Sequence, residues 1–468
     1  MGKEYFPKLS GVLGFFEEFS KIPRGSSNTA PIADYLVGFA KERGLDYYRD
    51  KADNVIIRKG ATAGYEDRPA VILQGHTDMV PEKRSDVDID MESEGVRLVY
   101  DGDYLRADGT TLGADDGIAM AYALAILDSD SIKHPAIEAV FTSDEEIGLL
   151  GATALDKSVI RGRLMINIDS DEEGVFTVGC AGGVRVDVEL PVKYEAASGN
   201  AYRLTLSGLA GGHSGIEIDR GRENAIKIMG ELLSAIPEAR VAEITGGNAD
   251  NAIPRECSAT VAVSSGLERA ALEKIIEGYR TREPGIALAI EECDAERMLD
   301  GESSSKLIAL IGELPSGVIA MSEDIPGLVE TSLNMGITRL DDVFSVSFSV
   351  RSAKGAAKAA LVERLKSIAE AKGARFSTRG AYPAWEYRKE SHLRDVMCEV
   401  YERLYGKAAK VVTIHAGLEC GIFSDAIEGL DCVSIGPDNK DIHTPEERLS
   451  LPSSERVFEY LLEVLANV

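Results

Sequence analysis

A chain of 468 residues, 44% of them hydrophobic, holds enough apolar material for two or three domains with sizeable cores. The formal charge of −27, unrelieved by any long basic run, disfavours nucleic acid and anionic membranes as partners; it leaves cationic ligands and metal ions open, with a solvated acidic surface as the plainer account. Six scattered cysteines without a C-x-x-C pair read as reduced thiols, the N-terminus carries no secretory or myristoylation pattern, and the longest apolar helical stretch, 117–127, falls short of the ~20 residues that span a bilayer, so a cytoplasmic protein is expected.

Apolar residues at helical spacing predict two helices between 8 and 45, separated by a loop at 22–28, and a strand at 54–58. The run Val71-Ile72-Leu73-Gln74-Gly75 predicts a buried strand that delivers His76 and, two residues on, Asp78. A hairpin is expected around Asp101-Gly102-Asp103, and an Ala-rich helix opens near Asp115, where the helix dipole favours a carboxylate; an ordinary N-cap is the alternative. Strands at 137–142 and 164–168 end in Glu145-Glu146 and Asp169. Strands alternating with helices point to an α/β layer with a mostly parallel sheet sandwiched by helices, whose functional residues collect beyond the strands' carboxyl ends. From about residue 186 to 385 the pattern changes to alternating strands and amphipathic helices, read as an inserted α+β lid domain of two related halves. The catalytic domain is then split between 1–185 and 386–468, and its second part contains a helix at 391–405, a strand at 432–435, a loop reaching His443 and a final helix at 453–465.

His76, Asp78, Asp115, Glu145, Glu146, Asp169 and His443 therefore form one candidate set. Nitrogen and carboxylate donors without cysteine suit zinc, or manganese or cobalt, at a catalytic site. Five of the seven can hold two ions if one carboxylate bridges, and two such ions activate a shared water and polarise a carbonyl. The remaining tasks are to orient His76, which suits Asp78, and to take a proton from water, which suits one of the adjacent glutamates.

The stretches Gln74–Val80, Thr111–Gly117, Thr142–Gly148, Asn167–Ser170, His415–Gly421 and His443–Glu447, in this order, resemble the aminoacyl-histidine (Xaa-His, carnosinase-type) dipeptidases, co-catalytic zinc exopeptidases of the aminoacylase and carboxypeptidase G superfamily. The resemblance implies His76 and Asp169 on one metal, Glu146 and His443 on the other, Asp115 as the bridge, Asp78 as the orienting residue and Glu145 as the general base. Asp116 stands where an asparagine is more usual after the bridging aspartate.

Within 207–215, a Gly-rich turn by itself, the resemblance marks His213 as a donor to the developing oxyanion. It matches Asn251 to a lid asparagine that contacts substrate. Arg351 ends an apolar strand and suits bidentate recognition of a terminal carboxylate, with a plain surface arginine as the alternative. His415 and Glu419 are expected to line the substrate pocket or to support its wall; His134 and His392 read as structural or solvated. The expected protein is a homodimeric two-metal dipeptidase for short peptides with a free carboxyl terminus. An N-acyl amino acid deacylase and a silent peptide- or metal-binding member are the rivals, and the intact Glu145-Glu146 pair speaks against the silent one.

Overall fold

The uninterrupted apolar runs become the interior of a parallel sheet. Val71–His76, Ile137–Thr142, Leu164–Asn167 and Asp431–Ser434 are buried at every position, as strands covered on both faces must be. The computed structural model describes residues 6–264, 266–323 and 325–468, which divide into two compact units.

The first unit comprises the chain up to Gly179, Tyr387–Thr413 and Leu418–Val468. Among the described residues its main sheet runs Asp46–Arg49, Val55–Lys59, Ile137–Thr142, Val71–His76, Leu164–Asn167, Asp431–Ser434, Val175–Cys180, Lys410–Ile414. The middle four strands are mutually parallel. Antiparallel partners flank them on both sides. Val71 and Leu73 join a core with Phe16, Leu36, Leu124 and Leu461, to which the helices Ser10–Phe19, Ala30–Glu42, Ala114–Asp128 and Leu451–Asn467 contribute. Ile72 points to the opposite face by the strand's period of two. The helix Glu419–Ala426 packs against Asp431–Ser434. The expected helix-covered sheet with parallel strands is thus present, but the mutually parallel run is its four central strands, and the antiparallel pairings at its flanks were not revealed by periodicity.

The second unit, Cys180–Glu386 with Ile414–Gly417, is built on an antiparallel sheet. Its strand order is Ala287–Cys293, Asn200–Ser207, Cys257–Val263, Arg240–Gly246, Val329–Leu340, Val343–Ser352, Gly182–Pro191, Arg375–Tyr382, and Gly317–Met321 also pairs with Val329–Leu340. Two halves meet at the pairs Thr245↔Arg339 and Gly246↔Thr338. Counted in chain order within its half, each set of four strands has the spatial order 4-1-3-2, with strand 2 at the junction. In each, helices follow strands 1 and 3: Ala225–Ser234 and Arg269–Tyr279 in one half, Gly301–Glu313 and Gly355–Ala371 in the other. Both halves are therefore β-α-β-β-α-β units of one topology, the first inserted between strand 1 and the first helix of the second. The compact units change over at 179/180 and 386/387 rather than at 185 and 385, because Gly182–Pro191 pairs along its whole length with Val343–Ser352. No helix among the described residues is long and apolar enough to cross a membrane.

Candidate active site

The parallel ladder sets His76 opposite Thr142 and Gln74 opposite Asn167, so the segments leaving these strands emerge at one edge. There His76 Nε2 lies 3.0 Å from Asp115 Oδ1 and 3.8 Å from Asp169 Oδ1. His443 Nε2 lies 3.1 Å from Asp115 Oδ2 and 3.0 Å from Glu146 Oε1. Asp115 thus offers one oxygen to each histidine. The donor atoms of Asp115, Glu146 and His443, of His76, Glu145 and Glu146, and of His76, Asp116 and Asp169 each lie close enough together to share an ion. This donor set of imidazole and carboxylate fits one or more divalent cations.

The electrostatics point the same way. Burial pushes Glu145 up to about 8, with Glu419 and Glu146 adding to the rise against His76. Burial likewise raises Asp169 and Asp116 well above the carboxylate range. Hydrogen bonds to Asp115 and Glu146 lift His443 to about 10. For His76 burial works against the charged ring, yet bonds to Asp115 and Asp78 hold it well above its ordinary value. So many carboxylates drawn together out of water are what a cation would neutralise.

Asp78 is fully buried and serves two elements at once. Its Oδ1 lies 3.4 Å from His76 Nδ1 and accepts from the Glu145 backbone at 2.9 Å. Its Oδ2 accepts from the Glu146 backbone at 3.3 Å and from Ser26 Oγ at 2.8 Å. One carboxylate thereby holds both the ring of His76 and the turn carrying the glutamates. Asp116 is buried too, and its Oδ2 accepts from the His76 backbone at 3.2 Å. The helix Ala114–Asp128 becomes regular only beyond Asp116, since Asp115 and Asp116 have non-helical dihedrals.

Two further residues belong to this site and had no sequence signal pointing to their roles. Glu447, 2% exposed, accepts from the backbone N–H groups of Leu112, Gly113 and Ala114 at 2.8 Å each and of Asp115 at 3.3 Å. Its place in the stretch His443–Glu447 was the only hint. Arg24, buried in a loop, donates to the carbonyls of Thr77 at 2.9 Å, Asp78 at 3.2 Å and Gly113. These two residues tie down the backbone around Asp115 and Asp78.

Glu419, expected at the pocket wall, has no exposed surface. Its Oε2 accepts from Gln74 Nε2 and from Thr142 Oγ1, each at 2.6 Å. Burial lifts it to about 7.

The remaining candidates lie in the second unit. Gly212–His213 pairs with Ala252–Ile253, and the Ser214 backbone donates to the Asn251 carbonyl at 2.8 Å, which sets His213 beside the exposed Asn251. His213 Nδ1 accepts from the backbones of Gly215 and Ile216, both at 3.2 Å, so the ring proton is assigned to Nε2. Burial and nearby Arg351 lower the pKa of His213. His415 is 7% exposed and its Nε2 lies 2.7 Å from Ser332 Oγ; burial, then Arg351, push it down to about 4. Arg351 itself donates to the Tyr382 hydroxyl at 3.3 Å. His213, Arg351 and His415 therefore form one electrostatic group although they lie far apart in sequence. His134, buried, donates from Nδ1 to the Pro135 carbonyl 2.7 Å away and stands apart from both groups.

Residues 72–467 match the model of peptidase family M20/M25/M40. The chain is 37% identical to the cytosol non-specific dipeptidase of Escherichia coli over 97% of its own length and 96% of the relative's. The crystal structure of aminoacylhistidine dipeptidase from Vibrio alginolyticus superposes with a TM-score of 0.93 at 35% identity, covering 100% of this chain and 99% of that one. The aminopeptidase PepT from Bacillus cereus, with a TM-score of 0.58 at 16% identity over 98% of each chain, shares the fold alone. Matched by the family model over most of its length and by a relative almost end to end, the chain belongs to peptidase family M20/M25/M40.

Proposed function

We propose that this peptidase is a two-metal dipeptidase acting on short peptides with a free C-terminal carboxylate, Xaa-His dipeptides among them. The observation that carries the reading is the convergence of His76, Asp115, Glu146, Asp169 and His443, with Glu145 beside them, at the carboxyl edge of the parallel sheet. The names of the Escherichia coli and Vibrio alginolyticus relatives support dipeptides as the substrate class. His76 and Asp169 would hold one ion and Glu146 and His443 the other, with Asp115 serving both; zinc is the leading candidate, manganese or cobalt the alternatives. When bound, the ions supply Lewis-acid activation of water and of the scissile carbonyl.

The chain's own groups do the rest. Glu145, which lies beside His76 and Glu146, takes the proton of the attacking water and returns it to the leaving amine. Asp78 keeps the His76 ring in place. His213, with its proton on Nε2, donates to the oxyanion. Arg351 pairs with the substrate's terminal carboxylate, Asn251 adds a polar contact and His415, neutral above about 4, backs the Arg351 group. The working protein is a cytoplasmic homodimer. Protein loaded with Zn, Mn or Co is expected to cleave a dipeptide panel and to spare N-acyl amino acids; activity on the N-acyl compounds alone would overturn the reading. Chelation should abolish turnover. Glu145→Gln should bind metal normally while losing turnover about a hundredfold to ten-thousandfold, and full turnover in that variant would refute the base assignment.

A further inference from the structure

Each of the three parallel strands that feed the metal groups carries one buried polar side chain near its carboxyl end. Gln74 precedes His76, Thr142 precedes Glu145 and Glu146, and Asn167 precedes Asp169; all three are at most 1% exposed. Polar side chains in the middle of a sheet covered on both faces are costly unless bonded to one another. Here they form a single directed chain. Asn167 Nδ2 donates to Gln74 Oε1 at 2.6 Å, Gln74 Nε2 donates to Glu419 Oε2 at 2.6 Å, and Thr142 Oγ1 donates to the same oxygen at 2.6 Å. With the amides so assigned, Asn167 and Gln74 hand the chain on to Glu419, whose Oε2 accepts from both Gln74 and Thr142.

We propose that Glu419 is a positioning residue of the reaction, a clamp that joins the three ligand-bearing strands and so sets the spacing of His76, Glu145, Glu146 and Asp169. The backbone ladder reaches only to the strand ends, at His76, Thr142 and Asn167. Glu145, Glu146 and Asp169 sit on segments that leave the sheet; Asp78 ties the Glu145–Glu146 turn from beyond the strand ends, and the Gln74–Glu419–Thr142 junction, joined by Asn167, ties all three strands from below. Glu419 comes from the helix Glu419–Ala426, so the clamp is delivered by a part of the chain remote from all three strands. Its burial keeps it away from substrate, which separates this role from that of a pocket residue. The proposal rests on the two-metal reading above.

Reversal of one donor tests it. Gln74→Glu sets two carboxylates face to face and is expected to weaken zinc binding and lower kcat, each by about tenfold or more, the scale of losing a residue that orients a ligand. Gln74→Glu combined with Glu419→Gln restores a donor between the two positions, and both quantities should return to within about threefold of wild type. Zinc affinity is read by competition with a chromophoric chelator, so the clamp is tested even if the dipeptide panel gives no turnover. An inert Gln74→Glu variant, a double variant no better than the single, or a fall in Tm with unchanged zinc affinity and kcat would each overturn the proposal.

Discussion

His415 shows how far a single residue's surroundings can move it. Buried against Ser332 and beside Arg351, its imidazole is pushed from 6.5 down to about 4. The unfolded chain then binds the proton first as pH falls. The stability due to the neutral ring is complete above pH 6.5 and is lost as pH drops towards 4. Between pH 7 and 5 the loss should be about 2 kcal/mol. Urea unfolding of wild type and His415→Gln at both pH values checks this: the variant should lose less over the same interval. Arg24 and Glu447 teach a related lesson about what the sequence could show. His76, Asp115, Glu146 and Asp169 were legible because each follows or opens a recognisable strand or helix. Arg24 lies in a loop and Glu447 in an acidic turn, and their importance arises from bonds to backbone groups 53 to 335 positions away. Nothing local distinguishes such a glutamate from a solvated one.

The strand Val71–His76 and the helix Ala114–Asp128 are brought together by what Gly75 lacks. A Cβ at this position would stand 2.4 Å from Ala119 Cβ and 2.4 Å from Asp116 Oδ2. Gly75→Ala is therefore expected to push the helix off the strand, at a cost of about 1–3 kcal/mol, and to weaken zinc binding because Asp115 opens the same helix. Gly14→Ala is the control: within Ser10–Phe19 a Cβ at Gly14 meets nothing within 4 Å, and the change should leave zinc affinity alone while stabilising by up to about 1 kcal/mol. Thermal melts and zinc titrations of the two variants distinguish these outcomes. Periodicity reported such elements well where one pattern dominated. Val343–Ser352 alternates buried and half-buried residues throughout, and the parallel interior strands are continuous apolar runs. It could not report partners. The pairing of Gly182–Pro191 with a strand some 160 residues later, and the shared 4-1-3-2 order of the two halves, depend on side-chain packing that a single chain read in order does not display.

At the scale of the molecule the described residues form two large cores, one around Phe16, Leu73 and Phe141, the other around Val186, Leu206 and Phe348. All the proposed metal ligands belong to the first unit. Calorimetry is expected to resolve a transition that rises with zinc and one that does not, the first gaining about 4 kcal/mol at a thousand times the dissociation constant. A uniform shift of both transitions would contradict that assignment. The first unit is also assembled from three separate stretches of chain, and the strand Asp431–Ser434 fills the place between Leu164–Asn167 and Val175–Cys180. On the ribosome this has a direct consequence. The strands bearing His76 and Asp169 are made early, but the slot beside them stays open, with an unpaired strand edge, until residues 431–434 emerge. His443 and Glu447 follow them. A nascent chain thus exposes a strand edge and lacks His443, so peptidase activity is expected only after residues 431–447 have emerged and paired.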